Sequence, residues 1–245
     1  MKKIKFHSAR MYNSNDLTNK PMPSKSSFPD WWKNASLFFK DLDGNFFEIE
    51  NSDSNSRKER ALGFKACPAL LDGFSVGYVL RTPTDIMFVQ HNNEPFVIID
   101  PAYKDFCAER EAIADFVVPN GYHSKHFHWW PNWGFETPDG YSALVLNPIN
   151  RYDLPFITTT GIIDSDRYTS SGLMPFFLKE GFSGLVPKGT PFAQIVPIKR
   201  ESWESEYIYH DEKSIMSRFE KTADTYRKPF GGIYKRSTWI KKEYT

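Results

Sequence analysis

The feature that most constrains this chain is the punctuation of its middle. Between residues 64 and 197 the apolar residues come in short runs, each closed by Pro, Gly, Asn or Asp. Runs of that length fit pleated strands, whose side chains alternate between two faces, and the breakers between them fit turns. The prediction is a mainly β body with strands at 76–81, 86–90, 96–100, 142–146, 156–163, 173–178 and 192–198. The aromatic share of 16% is carried by Phe and Tyr, which pack large areas on pleated surfaces. With 245 residues, 40% of them hydrophobic, the chain can bury one sizeable core with appended ends.

The flanks read differently. Phe28 to Phe39 predicts a short helix or turn opening at Pro29, with Trp31 or Trp32 docked on the body. The polar stretch 50–60 predicts a surface loop, and 105–116, with Phe106, Ala108, Ile113 and Phe116, is the one interior segment with a helical pattern. Past Lys199 the composition turns polar, and 202–221 predicts a helix with Ile215 and Phe219 four apart. The aromatic and basic stretch 226–245 fits an arm lying on a neighbouring surface as well as it fits a disordered end. These boundaries divide the chain into an N-terminal arm and loop (1–63), a β-rich core (64–198) and a helical, aromatic and basic extension (199–245), all within one compact domain.

Charge narrows the partners. Lys plus Arg total 31 against 30 Asp plus Glu, so no field of one sign collects phosphate backbones or anionic lipid, and nucleic acid is not expected. The longest apolar stretches fall far short of a membrane span, and Met1-Lys2-Lys3 is not followed by a signal-type apolar region, so the expected location is intracellular. Cys67 and Cys107 belong to no CxxC pair and read as buried thiols.

Two segments carry chemistry. His123-Ser-Lys-His126-Phe-His128 places His126 and His128 at strand spacing on one face, where two imidazoles ligate Zn²⁺ or Fe²⁺ if a third His, with His123 the candidate, or a carboxylate such as Asp115, Glu136 or Asp139 completes the set. The alternative is a plain aromatic-rich loop. The following segment, 129–142, holds Trp129, Trp130 and Trp133, whose faces either stack on a base or sugar or plug the end of the sheet.

The second segment is Gly161-Ile162-Ile163-Asp164-Ser165-Asp166, with Lys188-Gly189-Thr190-Pro191-Phe192-Ala193-Gln194-Ile195 about two dozen residues on. These runs resemble two motifs of the dUTPase and dCTP-deaminase superfamily. Cys67-Pro68-Ala69 through Ser75-Val76-Gly77-Tyr78 looks like its first motif, a turn entering a strand. The resemblance covers roughly 67–198 and implies a β-clip or distorted β-barrel, with Asp164 as the water-orienting or sugar-contacting carboxylate and Asp166 as a second catalytic candidate beside it. It further implies substrate contacts at Tyr78, Arg151, Gln194 and Arg227, a deoxynucleotide ligand, and Mg²⁺ for hydrolysis of a triphosphate. Sites shared between subunits make a homo-oligomer, with a trimer as the natural size, the expected assembly.

The pattern also departs from that family. Where it carries Pro-Arg-Ser-Gly, this chain reads Asn147-Pro148-Ile149-Asn150-Arg151-Tyr152, and the glycine-rich tail is reduced to Arg227-Lys228-Pro229-Phe230-Gly231-Gly232. Gly161 and Asp164 also suit a plain tight turn. The succession Asn132-Trp133, Thr137-Pro138-Asp139-Gly140-Tyr141-Ser142, Asn147 to Arg151, Gly161 to Asp166, Gly189 to Gln194 and Pro197-Ile198-Lys199-Arg200-Glu201-Ser202-Trp203 resembles, over most of the chain and more closely than any dUTPase, a family shared by tailed phages and bacteria that brings no established activity. Two readings stand: a nucleotide-binding protein or pyrophosphohydrolase centred on Asp164, and a non-catalytic β-clip protein of phage assembly or the virion. A His-ligated metal in a β-barrel is the third.

Overall fold

The structure, a computed structural model, describes residues 2–8, 19–50, 58–110, 117–227 and 239–244. In chain order its strands are β1 (Lys5–His7), β2 (Met22–Pro23), β3 (Glu48–Glu50), β4 (Lys58–Arg60), β5 (Tyr78–Arg81), β6 (Ile86–His91), β7 (Glu94–Ile99) and β8 (Cys107–Glu109). They continue with β9 (Tyr122–Trp129), β10 (Gly134–Glu136), β11 (Tyr141–Leu146), β12 (Phe156–Thr158), β13 (Gly161–Ile163), β14 (Met174–Lys179), β15 (Gly184–Val186) and β16 (Pro191–Lys199). The α-helices are α1 (Asp30–Asn34), α2 (Pro68–Ser75) and α3 (Glu212–Arg227). The protein is therefore mainly β. Its contacts divide it into two compact units, one holding Met1–Ser27 and Val76–Glu201, the other Phe28–Ser75 and Ser202–Glu243.

The first unit is built of antiparallel sheets with strand orders β13-β11-β16-β5-β2, β12-β14-β9-β8, β15-β6-β7 and β1-β10. Each sheet ends in edge strands, so the expected distorted barrel does not close among the described residues. The hairpin β6–β7 shows how local sequence sets register. Asn92 and Asn93 both adopt positive φ, 51° and 63°, the twist that a two-residue turn needs to bring His91 opposite Glu94. Gly77 solves a different problem, since a Cβ there would lie 2.0 Å from the Ile195 carbonyl oxygen of β16.

The core fills the inner faces of these sheets. Phe127 and Phe176 are paired in register on β9 and β14, and the Trp129 indole stacks on Phe176 at 3.8 Å between centroids. Trp129 is fully buried, so its Nε1 must find an acceptor, and it donates to Thr158 Oγ1 at 3.1 Å. That hydroxyl in turn donates to the Phe192 carbonyl at 2.6 Å. Cys107 is buried in the same core, where desolvation pushes its thiol pKa well up, with Glu109 adding to the effect.

Several expected elements are corrected. The segment predicted helical at 105–116 contains strand β8, because Cys107 pairs with Trp129 and Glu109 with Phe127 on the edge of β9; residues 111–116 lie outside the described set. The single strand expected at 156–163 is two strands in different sheets, split where Thr159 turns away and bonds the Pro175 carbonyl through both N and Oγ1. Residues 68–75, expected as a turn entering a strand, form helix α2, with Pro68 at a position where a missing N–H costs nothing, and β5 begins only at Tyr78.

In the second unit α1 follows Pro29, and Trp32 is the docked indole, packed on Phe74 of α2 at 4.4 Å. The loop expected at 50–60 includes strand β4, which pairs with β3 from Glu48 opposite Arg60 to Glu50 opposite Lys58. Helix α3 starts later than predicted, at Glu212, because Asp211 caps it: Ser214 N donates to Oδ1 at 3.0 Å and Ser214 Oγ to Oδ2 at 2.7 Å. Those bonds lower the Asp211 pKa. At the chain's end Trp239 Nε1 and Lys242 Nζ donate to Asp72 at 2.8 and 2.6 Å; residues 228–238 of the predicted arm lie outside the described set. Among the described residues no helix is long and apolar enough to cross a membrane.

Candidate functional site

Strand β11 assembles the charged residues at its Tyr141 end. It lies between β13 and β16, with Ala143 opposite Ile163 on one side and Ser142 opposite Ile198 on the other. Asp164 follows β13 directly and Arg200 follows β16 directly, so both leave their strands beside Tyr141 and Ser142. The Arg200 N–H donates to the Gly140 carbonyl at 2.9 Å, extending that ladder by one step. The turn itself is pinned from below by buried Ser165, whose hydroxyl lies 2.7 Å from that of Thr137.

The two carboxylates differ. Asp166 is sequestered, with 4% of its side chain exposed, and Asp164 stands out at 63%. Arg200 grips Asp166 with two parallel bonds, Nη1 to Oδ1 at 2.8 Å and Nη2 to Oδ2, and the Gly140 N–H donates to Oδ2 at 2.9 Å. The guanidinium, followed by the Gly140 bond, holds the Asp166 pKa down at about 2, and the same pairing raises that of Arg200. Asp164 Oδ1 accepts from Ser142 Oγ at 2.7 Å and from Arg200 Nη1 at 3.2 Å. Arg200 also reaches the Ser142 hydroxyl and the Tyr141 carbonyl. One guanidinium thus serves two carboxylates, a hydroxyl and a carbonyl.

The other residues expected at this site lie elsewhere. Gln194 sits opposite Leu146, the far end of β11, roughly 13 Å from Ser142 by strand rise. It is buried, donates from Nε2 to the Val76 carbonyl at 2.6 Å and accepts from the Ile149 N–H at 2.9 Å. Arg151 follows that same end and forms a bidentate pair with Asp153, at 2.9 Å from both Nε and Nη2. Tyr78 on β5 is half-buried, packs edge-on against Phe6 at 5.3 Å, and has its pKa raised by burial. Arg227 ends α3, and its side chain falls outside the described set.

The histidines also separate. His126 and His128 share the outer face of β9, where burial first and Arg110 second lower both pKa values. A guanidinium in that position opposes a metal cation as it opposes a proton. His123 instead accepts from the Lys125 N–H at Nδ1 and places Nε2 3.1 Å from the Asn93 carbonyl. Of the expected third ligands, Glu136 is paired with Lys5 and His7, and Asp115 lies outside the described set. Among the described residues no group of three His, Cys, Asp or Glu side chains is placed to hold a metal ion.

The aromatic segment divides between the two roles offered for it. Trp129 is core, whereas Trp130 is half-exposed and walls a cleft of about 250 Å³ with Tyr103, Asp105 and Asn132 over Phe106. Sequence reasoning missed Arg200 and Ser142. The available signal was strand order, because a residue one step past the Gln194 strand falls beside one step past the Ile163 strand once both pair with β11.

Fold and site together define a mainly β protein whose Asp-Ser-Asp turn is clamped by an arginine. Compared with known proteins, the chain matches no family model and no curated protein.

Proposed function

We propose that this chain is a non-catalytic β scaffold, of the β-clip kind that its motif order resembles, acting as a structural or assembly component. The observation that carries the reading is the occupation of Arg200. A triphosphate hydrolase needs a cation free to receive phosphate and a carboxylate free to take a proton from water. Here Arg200 is engaged by Asp166 and Asp164, and Arg151 is engaged by Asp153 at the other end of β11. The carboxylate that Arg200 grips most firmly, Asp166, has its pKa lowered to about 2 and is a poor base. The turn motif therefore works as a fastener joining the ends of β13, β11 and β16.

The test is release of phosphate or pyrophosphate from dUTP and the other deoxynucleoside triphosphates with Mg²⁺, together with thermal shift in their presence. No turnover and no stabilisation are expected. Turnover that disappears in Asp164→Asn would restore the pyrophosphohydrolase reading. A second reading rests on the Trp130 cleft, whose indole, phenol and carboxylate suit a sugar or base stacked on an aromatic wall. Quenching of tryptophan fluorescence by a saccharide or nucleoside, absent in Trp130→Ala, would support it.

A further inference from the structure

A strand with one face on a core should be polar on the other, yet β6 reads Ile86-Met87-Phe88-Val89, apolar on both. Ile86 and Phe88 point inward and are fully buried. Their neighbours point outward. In register, Leu185 of β15, Met87 of β6 and Ile98 of β7 form a row across all three strands of the sheet, and Val89 with Phe96 forms the next row. Leu185, Met87, Ile98 and Phe96 are 47%, 37%, 57% and 38% exposed. The patch ends in a polar pair, His91 opposite Glu94, at the hairpin tip.

We propose that this outer face of β15-β6-β7 is a self-association surface that packs on the same face of a second copy across a twofold axis. Continuous apolar character on a strand is the pattern of coverage on both faces. The Lys125 ammonium lies over the Phe96 ring, 4.3 Å from its centroid, but is paired with Glu109 at 2.8 Å, so the rows themselves are apolar and are complementary to a copy of themselves. The area agrees with that occupant. Four side chains of about 200 Å² each, 37–57% exposed, present roughly 360 Å² of apolar surface per copy, to which Val89 adds. A standard interface of about 800 Å² per partner, some 57% non-polar, needs roughly 450 Å². Two twisted sheets stack face to face at about 10 Å with their side chains interdigitated, the arrangement of a β-sandwich. The inference is independent of the role assigned to Asp164.

Sedimentation equilibrium on the full chain at micromolar concentration tests it, with Ile98→Asp and Met87→Asp as outward-facing variants and Ile162→Asp, exposed on β13, as the control. The expected result is a dimer for the parent and the control and a monomer for both patch variants, with dissociation constants raised at least about a hundredfold. A parent that stays monomeric overturns the proposal. So does a dimer that survives both patch substitutions, or one that Ile162→Asp breaks equally. Should a patch variant fail to fold, Ile98→Cys serves instead: a short thiol cross-linker must join two copies through that residue above the background of the parent, and failure to do so is equally decisive.

Discussion

The two ends of β11 solve the same problem by opposite means. At the Tyr141 end, three chain segments are tied by charge, with Arg200 between Asp164 and Asp166. At the Leu146 end they are tied by a neutral, buried amide, since Gln194 bridges the Val76 carbonyl and the Ile149 N–H. The first arrangement faces water and depends on pH. The second is desolvated and does not. Motif residues that would serve one ligand if they converged are here separate fasteners at opposite ends of one strand.

The largest effect is expected at the neutral end. Gln194→Ala removes the partner of a part-buried carbonyl and of a part-buried N–H, each costing up to about 1–2 kcal/mol at that exposure, so the variant should lose roughly 2–4 kcal/mol in urea unfolding. A loss below about 0.5 kcal/mol would mean that other groups hold the Val76 and Ile149 segments. The charged end should show itself in acid. Asp166 has a folded pKa near 2 against an ordinary 3.8, so its contribution is complete above about pH 4 and drains as pH falls through 2. Arg200→Gln should return the Asp166 midpoint, read by carboxyl carbon NMR, toward 3.8 and flatten the stability profile between pH 4 and 2. An unmoved midpoint would show that Gly140, not Arg200, sets it.

The smallest effect belongs to Asp164. Because its carboxylate is exposed and Asn retains most turn bonds, Asp164→Asn should cost at most about 1 kcal/mol by the same urea titration. A larger loss would make Asp164 an equal partner in the clamp and narrow the contrast between the two ends.

The strands legible in the sequence are those whose apolar runs coincide with a core face, as at Ile86 to Gln90 and Phe192 to Ile198. Where pairing partners decide the structure, local pattern misleads. Cys107 is drawn into a strand by Trp129, and the stretch 156–163 breaks at Thr159 because two sheets claim its halves. The capping role of Asp211 was readable in principle from Asp211-Glu-Lys-Ser214, but helix-forming residues before it extended the expected helix. The Asp164 turn was visible as a motif; its partner was not, because Arg200 lies 36 residues on and reaches it only through two neighbouring strands.

The Asn92-Asn93 turn bears on the order of events during synthesis. It lets β6 find β7 within a stretch of fourteen residues, whereas β5, which the two residues of β2 flank on one side, must wait for Ile195 before Tyr78 gains its β16 partner on the other. Local pairing closes fast and distant pairing slowly. The hairpin can therefore form on a nascent chain that has not yet made β15 or β16, presenting Met87, Phe96 and Ile98 to whatever is nearby. Expression at high rate or temperature should favour premature association through this hairpin, and coexpressed chaperones should relieve it.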